Sequence, residues 1–273
     1  MIEERTTPKS WASMLRISKS HIQTYLICPR KFYFQYVIGA EMEFIPPSMV
    51  FGGVLHEAVA FFYRAFQQHG QRPELSDVIA EFRACWEKET TGRQIGFTES
   101  TGKGNFEGLG MALLKAFYEG VRPRSVEAVE YPFCVPIYEP DSGGKLDFSL
   151  VGVIDLIESD DEGNLIISEL KTASKRMADS QGENQLDGLV YAYALDELGF
   201  RTTDSRTLIR YDVLVKTKAV GFQQVYFNKE PGDYRRLGRW IKDVLEAINR
   251  AAFYPNFGWA CKQCPFRKAC WSL

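Results

Sequence analysis

Two stretches in the middle of the chain, DFSLVGVIDLIE (147–158) and NLIISELKT (164–172), are joined by SDDEG and set Asp155 and Glu169 inside otherwise apolar, β-favouring sequence. Carboxylates embedded in such strands are rarely left without partners, because taking them out of water is costly. If the two strands fold back through a turn near Asp161 to Gly163, residue 155 lies opposite residue 169 within about one position. Alternation puts Leu165, Ile167, Glu169 and Lys171 on one face of the second strand and Ile166, Ser168, Leu170 and Thr172 on the other. Asp155 and Glu169 are then neighbours that repel unless a cation sits between them, and a hard divalent ion such as Mg²⁺ or Mn²⁺ suits their oxygens. A solvated, salt-bridged face that includes Lys171 is the alternative left open by spacing.

Around this hairpin the apolar period changes. Ser18 and Ser20 ahead of Ile22, Tyr25 and Leu26 predict a short capped helix, followed by an aromatic-rich helix through Phe32 and Tyr36 that Pro46 and Pro47 end. After a turn at Gly52 and Gly53, Leu55, Val59, Phe62 and Phe66 recur at helical spacing up to Gly70, which puts His56 in that helix's first turn. Helices are also expected over Leu75 to Lys88 and Phe106 to Tyr118, with a mobile Gly, Ser and Thr-rich loop between them. AVEYPFCVPIY, RTLIRYDVLVKT and VGFQQVYFN read as strands, while Asn184 to Leu198 and Tyr234 to Ala252 read as helices. This order predicts an α/β fold with a central mixed β-sheet flanked by helices and a helical N-terminal region. A single domain over 1–273 is expected, divided into an N-terminal cysteine segment (18–50), a helical region (52–120), a sheet core (126–230) and a C-terminal helix with a cysteine segment (234–273).

Composition narrows the setting. With 45% apolar and 25% charged residues and a net charge of -2, the chain is not basic all over, although a local basic groove remains compatible with that sum. The first twenty residues lack an apolar core of signal-peptide length, and no window nears 18 uninterrupted apolar residues, so a soluble cytoplasmic protein without a membrane span is expected. Six cysteines in such a chain point to thiolate chemistry rather than disulfides. Cys261, Cys264 and Cys270 form C-x2-C-x5-C, and Cys28 would complete a set of four that spacing alone allows for zinc or an iron–sulfur cluster. Cys85 and Cys134 fit no ligand spacing and read as small buried apolar residues. Basic and aromatic residues recur at 30–33, at Lys175 and Arg176, and at Tyr234, Arg235, Arg236, Arg239 and Trp240. Each group also suits a solvated face, so no DNA-binding residue is singled out. The sequence contains no GxxxxGK[ST] and hence no ATP motor of that type.

Taken in order, SKSHIQTYLICPRKFYFQY (18–36), FGGVLHE (51–57), GVID (152–155), ELK (169–171) and CKQCPFRKAC (261–270) resemble the motifs of PD-(D/E)xK superfamily nucleases. Within that superfamily they resemble the RecB-like iron–sulfur group, which includes CRISPR-associated adaptation exonucleases and AddB-type nuclease domains. The resemblance implies a restriction-endonuclease-like core with a C-terminal iron–sulfur segment. It implies His56, Asp155 and Glu169 as ligands of Mg²⁺ or Mn²⁺, with the backbone carbonyl of Leu170 as a fourth, and Lys171 orienting the attacking water. It also implies a [4Fe-4S] cluster on Cys28, Cys261, Cys264 and Cys270.

The activity so implied is that of a metal-dependent DNA exonuclease preferring single strands, in repair, recombination or CRISPR and phage DNA processing. A helicase or CRISPR adaptation protein would be its partner. A structure-specific endonuclease and a non-catalytic DNA-binding adaptor are the alternatives, and the complete His56, Asp155, Glu169 and Lys171 set argues against the adaptor. One motif departs from the group, which carries a glutamine with a tyrosine four residues on: Gln185 is followed at that place by Leu189. Around an ideal helix Tyr193 lies about 80° from Gln185 and Tyr191 about 240° away. Gln185 is therefore retained as a catalytic candidate, and packing remains open for both tyrosines.

Overall fold

Prolines and serines set where the first helices start. In the computed structural model, which describes residues 16–98, 102–178, 186–200, 206–229 and 232–272, Ser18 caps α1 (Lys19–Ile27) by accepting from the His21 N–H, and His21 Nδ1 accepts from the Ser18 N–H in return. Pro29 opens α2 (Pro29–Phe32), which continues through a π-helical turn over Tyr33–Val37. Pro47 likewise opens α3 (Pro47–His69) instead of ending the region before it, so the turn expected at Gly52 and Gly53 is helical and His56 lies in mid-helix. The reason is that proline at a first helical position loses no hydrogen bond and brings φ already set. Gly70, at φ 66°, ends α3 in the left-handed conformation that suits glycine.

Helices α4 (Leu75–Thr90) and α5 (Lys103–Gly120) follow, then strands β2 (Ser125–Tyr138), β3 (Lys145–Ser159) and β4 (Leu165–Ala173). The chain continues with α6 (Leu186–Glu197), β5 (Thr207–Val215), β6 (Gly221–Phe227), α7 (Asp233–Asn249) and the short α8 (Arg267–Trp271). With β1 (Arg16–Ser18), the strands form a mixed sheet in the order β1-β3-β4-β5-β6, with β2 also paired to β3. The β3–β4 and β5–β6 pairs are antiparallel, while β1–β3 and β4–β5 are parallel.

The chain groups into two compact units, one of Met1–Glu43, Cys134–Gly152 and Gly232–Leu273, the other of Phe44–Phe133 and Val153–Pro231. In the second, the stripe Phe51, Val54, Leu55, Ala58 and Phe62 of α3 packs on Phe82 and Trp86 of α4, Leu113 and Phe117 of α5, and Leu156, Leu170 and Leu214 of the sheet. By length and composition α3 could cross a bilayer, yet half of its most apolar window is buried in the protein. On the other sheet face α6 comes so close that a Cβ on Gly188 would lie 2.7 Å from Ile209 and 2.8 Å from the Phe227 ring. Close approach of this kind needs glycine.

The first unit joins distant parts of the chain. The Tyr25 hydroxyl donates to the Ala252 carbonyl at 2.7 Å, Arg30 N donates to the Tyr254 carbonyl at 3.1 Å, and the Phe32 and Phe253 rings stack at 6.3 Å. Of the two cysteines expected to be buried, Cys85 is half-buried and donates to Glu81 at 3.3 Å, but Cys134 is exposed. Strand alternation explains this, since Phe133 and Val135 on either side of Cys134 point inward.

Candidate active site

The β3–β4 ladder pairs Leu156 with Ser168, and the next step of that register sets Asp155 opposite Glu169, as the hairpin geometry predicts. Asp155 Oδ2 accepts the Leu170 N–H at 3.0 Å and lies 3.2 Å from His56 Nδ1, which reaches it from α3. Glu169 is buried, and Lys171 Nζ stands 3.5 Å from Glu169 Oε1. His56 of α3 is thus brought to the adjacent interior strands β3 and β4, which carry Asp155 and, two residues apart, Glu169 and Lys171. Leu170 donates its N–H here, and its carbonyl is the atom that the resemblance would assign to a metal.

Helix α6 supplies the residues that sequence reasoning missed. Lys171 Nζ is ion-paired with Asp187, a carboxylate of the first turn of α6 that is 1% exposed. One helical turn on, the buried Tyr191 hydroxyl donates to Glu169; burial, and then the charges of Glu169 and Asp155, hold it well above the usual tyrosine range and therefore protonated. The Tyr211 ring lies beneath the Lys171 ammonium at 5.2 Å, and its hydroxyl accepts the Gly188 N–H at 3.1 Å, satisfying an N-terminal donor of α6. Gln185 lies outside the described residues. The spacing of four that the group shows between glutamine and tyrosine is held in this chain by Asp187 and Tyr191, and that spacing was the signal available in sequence. Tyr191, placed off the face of Gln185 by the helical wheel, contacts the site.

A recess beside His56 and Asp155 is lined by Tyr63, Glu130, Ser168 and Asp212. Glu130 has a left-handed φ of 51°, uncommon for a residue with a side chain, and is ion-paired with Arg64 of α3. Behind the recess, Arg210 Nη2 bridges Glu158 Oε2 at 2.7 Å and Asp212 Oδ2 at 2.9 Å, all three side chains being almost fully buried. Arg124 N–H and Gln224 Nε2 complete the two carboxylates at 2.8 and 2.9 Å. Burial alone would lower the Arg210 value, but the flanking carboxylates of Asp212 and Glu158 more than reverse this and keep it cationic.

The donor set of one imidazole and two carboxylates has the chemistry of a hard divalent-ion site, and paired carboxylates in a buried strand need a cation or a proton. Among the described residues, however, no three His, Cys, Asp or Glu converge as a group that could hold a metal ion. His56 and Asp155 contact each other directly, Nδ1 to Oδ2.

In the first unit, Cys28, Cys261, Cys264 and Cys270 line one small recess together with Arg30, Lys31 and Phe266. Burial, and then the charges of the other thiols, push Cys264 and Cys270 upward, while Lys31 and Arg30 pull the other way. Asn256 N–H donates to Cys28 Sγ at 3.5 Å, and the Cys261 thiol donates to the Asn256 carbonyl at 3.8 Å. Cys28 thus lines the same recess as Cys261, Cys264 and Cys270, but among the described residues these cysteines do not form a group that could hold a metal ion.

Comparison with known proteins places the chain in a family. A family model described as the PD-(D/E)XK nuclease superfamily matches residues 16–271. One component of an ATP-dependent helicase/deoxyribonuclease from Carboxydothermus hydrogenoformans is 37% identical over 67 residues, which is 24% of this chain and 6% of that protein. This chain thus matches only a small part of that relative's length. A solved structure from Eubacterium rectale, described as a candidate exonuclease, shares 8% identity at a TM-score of 0.52, covering 98% of this chain and 93% of its own. That likeness is one of fold; the family match makes the mixed sheet flanked by helices restriction-endonuclease-like, without showing an iron–sulfur segment at its C-terminal side.

Proposed function

Because the chain belongs to the PD-(D/E)XK nuclease superfamily and is therefore a nuclease, we propose that it is a metal-dependent DNA exonuclease that prefers single strands. The observation carrying this reading is the adjacency of Asp155 with Glu169 and Lys171 on the neighbouring strands β3 and β4, with His56 against Asp155. A non-catalytic adaptor would not need that set.

His56, Asp155 and Glu169, with the Leu170 carbonyl, would hold a divalent ion; once bound, Mg²⁺ or Mn²⁺ lowers the pKa of a water and neutralises charge building on phosphate oxygens. The protein's own contribution is preorganisation. The Leu170 N–H pins one oxygen of Asp155, and the Tyr191 hydroxyl pins Glu169, so neither carboxylate has to be ordered during the reaction. Lys171, held between Glu169 and Asp187, directs a positive charge at the phosphate and orients the attacking water. Gln185, from the segment before α6, is proposed as a further catalytic contact.

We further propose that the four cysteines hold a [4Fe-4S] cluster. The supporting feature is their common recess with Arg30 and Lys31, whose charges favour thiolates. A single domain and a cytoplasmic location are part of the same reading. So is work beside a helicase, which the similarity to a helicase/deoxyribonuclease component suggests, or beside a CRISPR adaptation protein.

The test is a nuclease assay on end-labelled single- and double-stranded DNA with Mn²⁺ or Mg²⁺. The expected result is stepwise loss of nucleotides from single strands, with Lys171→Ala at least ~10²-fold slower, the order of one lost electrostatic contact to the transition state. Equal rates in wild type and Lys171→Ala would overturn the assignment, and internal cuts would replace exonuclease by endonuclease.

A further inference from the structure

The segment that carries three of the cysteines divides its aromatic residues into two sets. Phe253 and Phe266 turn inward, against Phe32 at 6.3 Å and Phe34 at 5.7 Å. Tyr254, Phe257, Trp259 and Trp271 turn outward and are 61, 70, 80 and 65% exposed. Aromatic side chains of this size normally bury most of their area, and several exposed together mark a binding surface. Phe257 and Trp271 already meet edge to face at 6.4 Å, and the Arg267 guanidinium lies over the Trp271 ring at 5.3 Å.

Charge identifies the occupant. From residue 247 to 273 the sequence contains Arg250, Lys262, Arg267 and Lys268 but no Asp or Glu, in a chain whose net charge is -2. Acids from neighbouring elements reach two of these cations: Glu246 lies 3.6 Å from Arg250, and Glu43 lies 3.9 Å from Lys268 Nζ and accepts the Lys268 backbone N–H. Lys262 and Arg267 are exposed, and the Arg267 guanidinium lies over the outward Trp271 ring. A protein partner would not require such a run without acids. A flexible polyanion with flat bases does, since each ring offers a stacking platform and each cation a phosphate contact.

We infer that Tyr254, Phe257, Trp259 and Trp271, with Lys262 and Arg267, form a stacking surface for single-stranded DNA on the cysteine segment. The choice of ligand rests on the nuclease reading, but the surface does not depend on catalysis. Its sequence preference is weak, because stacking accepts any base.

The test uses the full chain carrying Lys171→Ala, in EDTA, with a fluorescein-labelled oligothymidylate followed by anisotropy and by quenching of tryptophan fluorescence. Trp259→Ala and Trp271→Ala should each weaken binding roughly tenfold or more, the scale of one lost base stack. Trp259→Phe should restore most of that loss, which a variant that merely unfolds could not do. Lys262→Ala should weaken binding and reduce the slope of log affinity against log salt by about one. Unchanged affinity in both tryptophan variants overturns the inference, as does preference for RNA over DNA or an effect confined to self-association in sedimentation. Because no hydrolysis is measured, a failed nuclease assay and a failed binding assay remain separate results.

Discussion

Asp187 is the residue whose chemistry changes the picture most. A carboxylate on the first turn of α6, buried to 1% exposure and ion-paired with Lys171, fixes where that ammonium can point. Asp187→Asn keeps the shape and removes the charge, so kcat on single-stranded DNA should fall about 10- to 100-fold while KM stays within about twofold, the pattern of a lost positioning contact. A matching rise in KM with kcat unchanged would show Asp187 to act in binding instead. Asp155, Glu169 and Lys171 were readable from sequence because strand alternation fixes their face and a short hairpin fixes their register. Asp187 and Tyr191 were not, because which side of a helix meets the sheet is decided by the tight contact of Gly188 with Ile209 and Phe227, and a helical wheel drawn from Gln185 has no knowledge of that contact. Tyr211 was hidden for a related reason: its place beneath Lys171 depends on parallel pairing of β4 with β5, which no local turn encodes.

Among the elements, β3 and β5 are tied together across β4 by a buried charge network rather than by direct pairing. Glu158 comes from β3, Arg210 and Asp212 from β5, and their contacts of 2.7 and 2.9 Å lie beneath almost no solvent. Arg210→Met strands two buried carboxylates and should cost about 3–5 kcal/mol, read as a lower urea midpoint at unchanged m-value. A loss below ~1 kcal/mol would mean that the carboxylates simply take up protons. The strands themselves were legible, since apolar alternation interrupted by turn residues marks each of them. The start of α3 was not, because a proline pair reads equally as a helix stop and as a helix start. Only the packing of Val50 and Phe51 into the core decides between them.

For the molecule as a whole, the proposed cluster would join the earliest and latest parts of the first unit through Cys28 and Cys261, Cys264 and Cys270. Protein purified without oxygen should be brown and contain iron and sulfide in equal amounts, and Cys28→Ser should lose the colour and unfold at a lower temperature. Colourless protein with stoichiometric zinc would replace the cluster by a zinc site. The bond from Tyr25 to Ala252 spans 227 residues. At translation rates of ~5–20 residues per second, that span delays the bond by roughly 11 to 45 seconds. Throughout that interval the N-terminal helices leave the ribosome without the aromatic residues they will pack against. The first unit can thus close only late in synthesis, and Cys28 is made long before the other three cysteines of its recess.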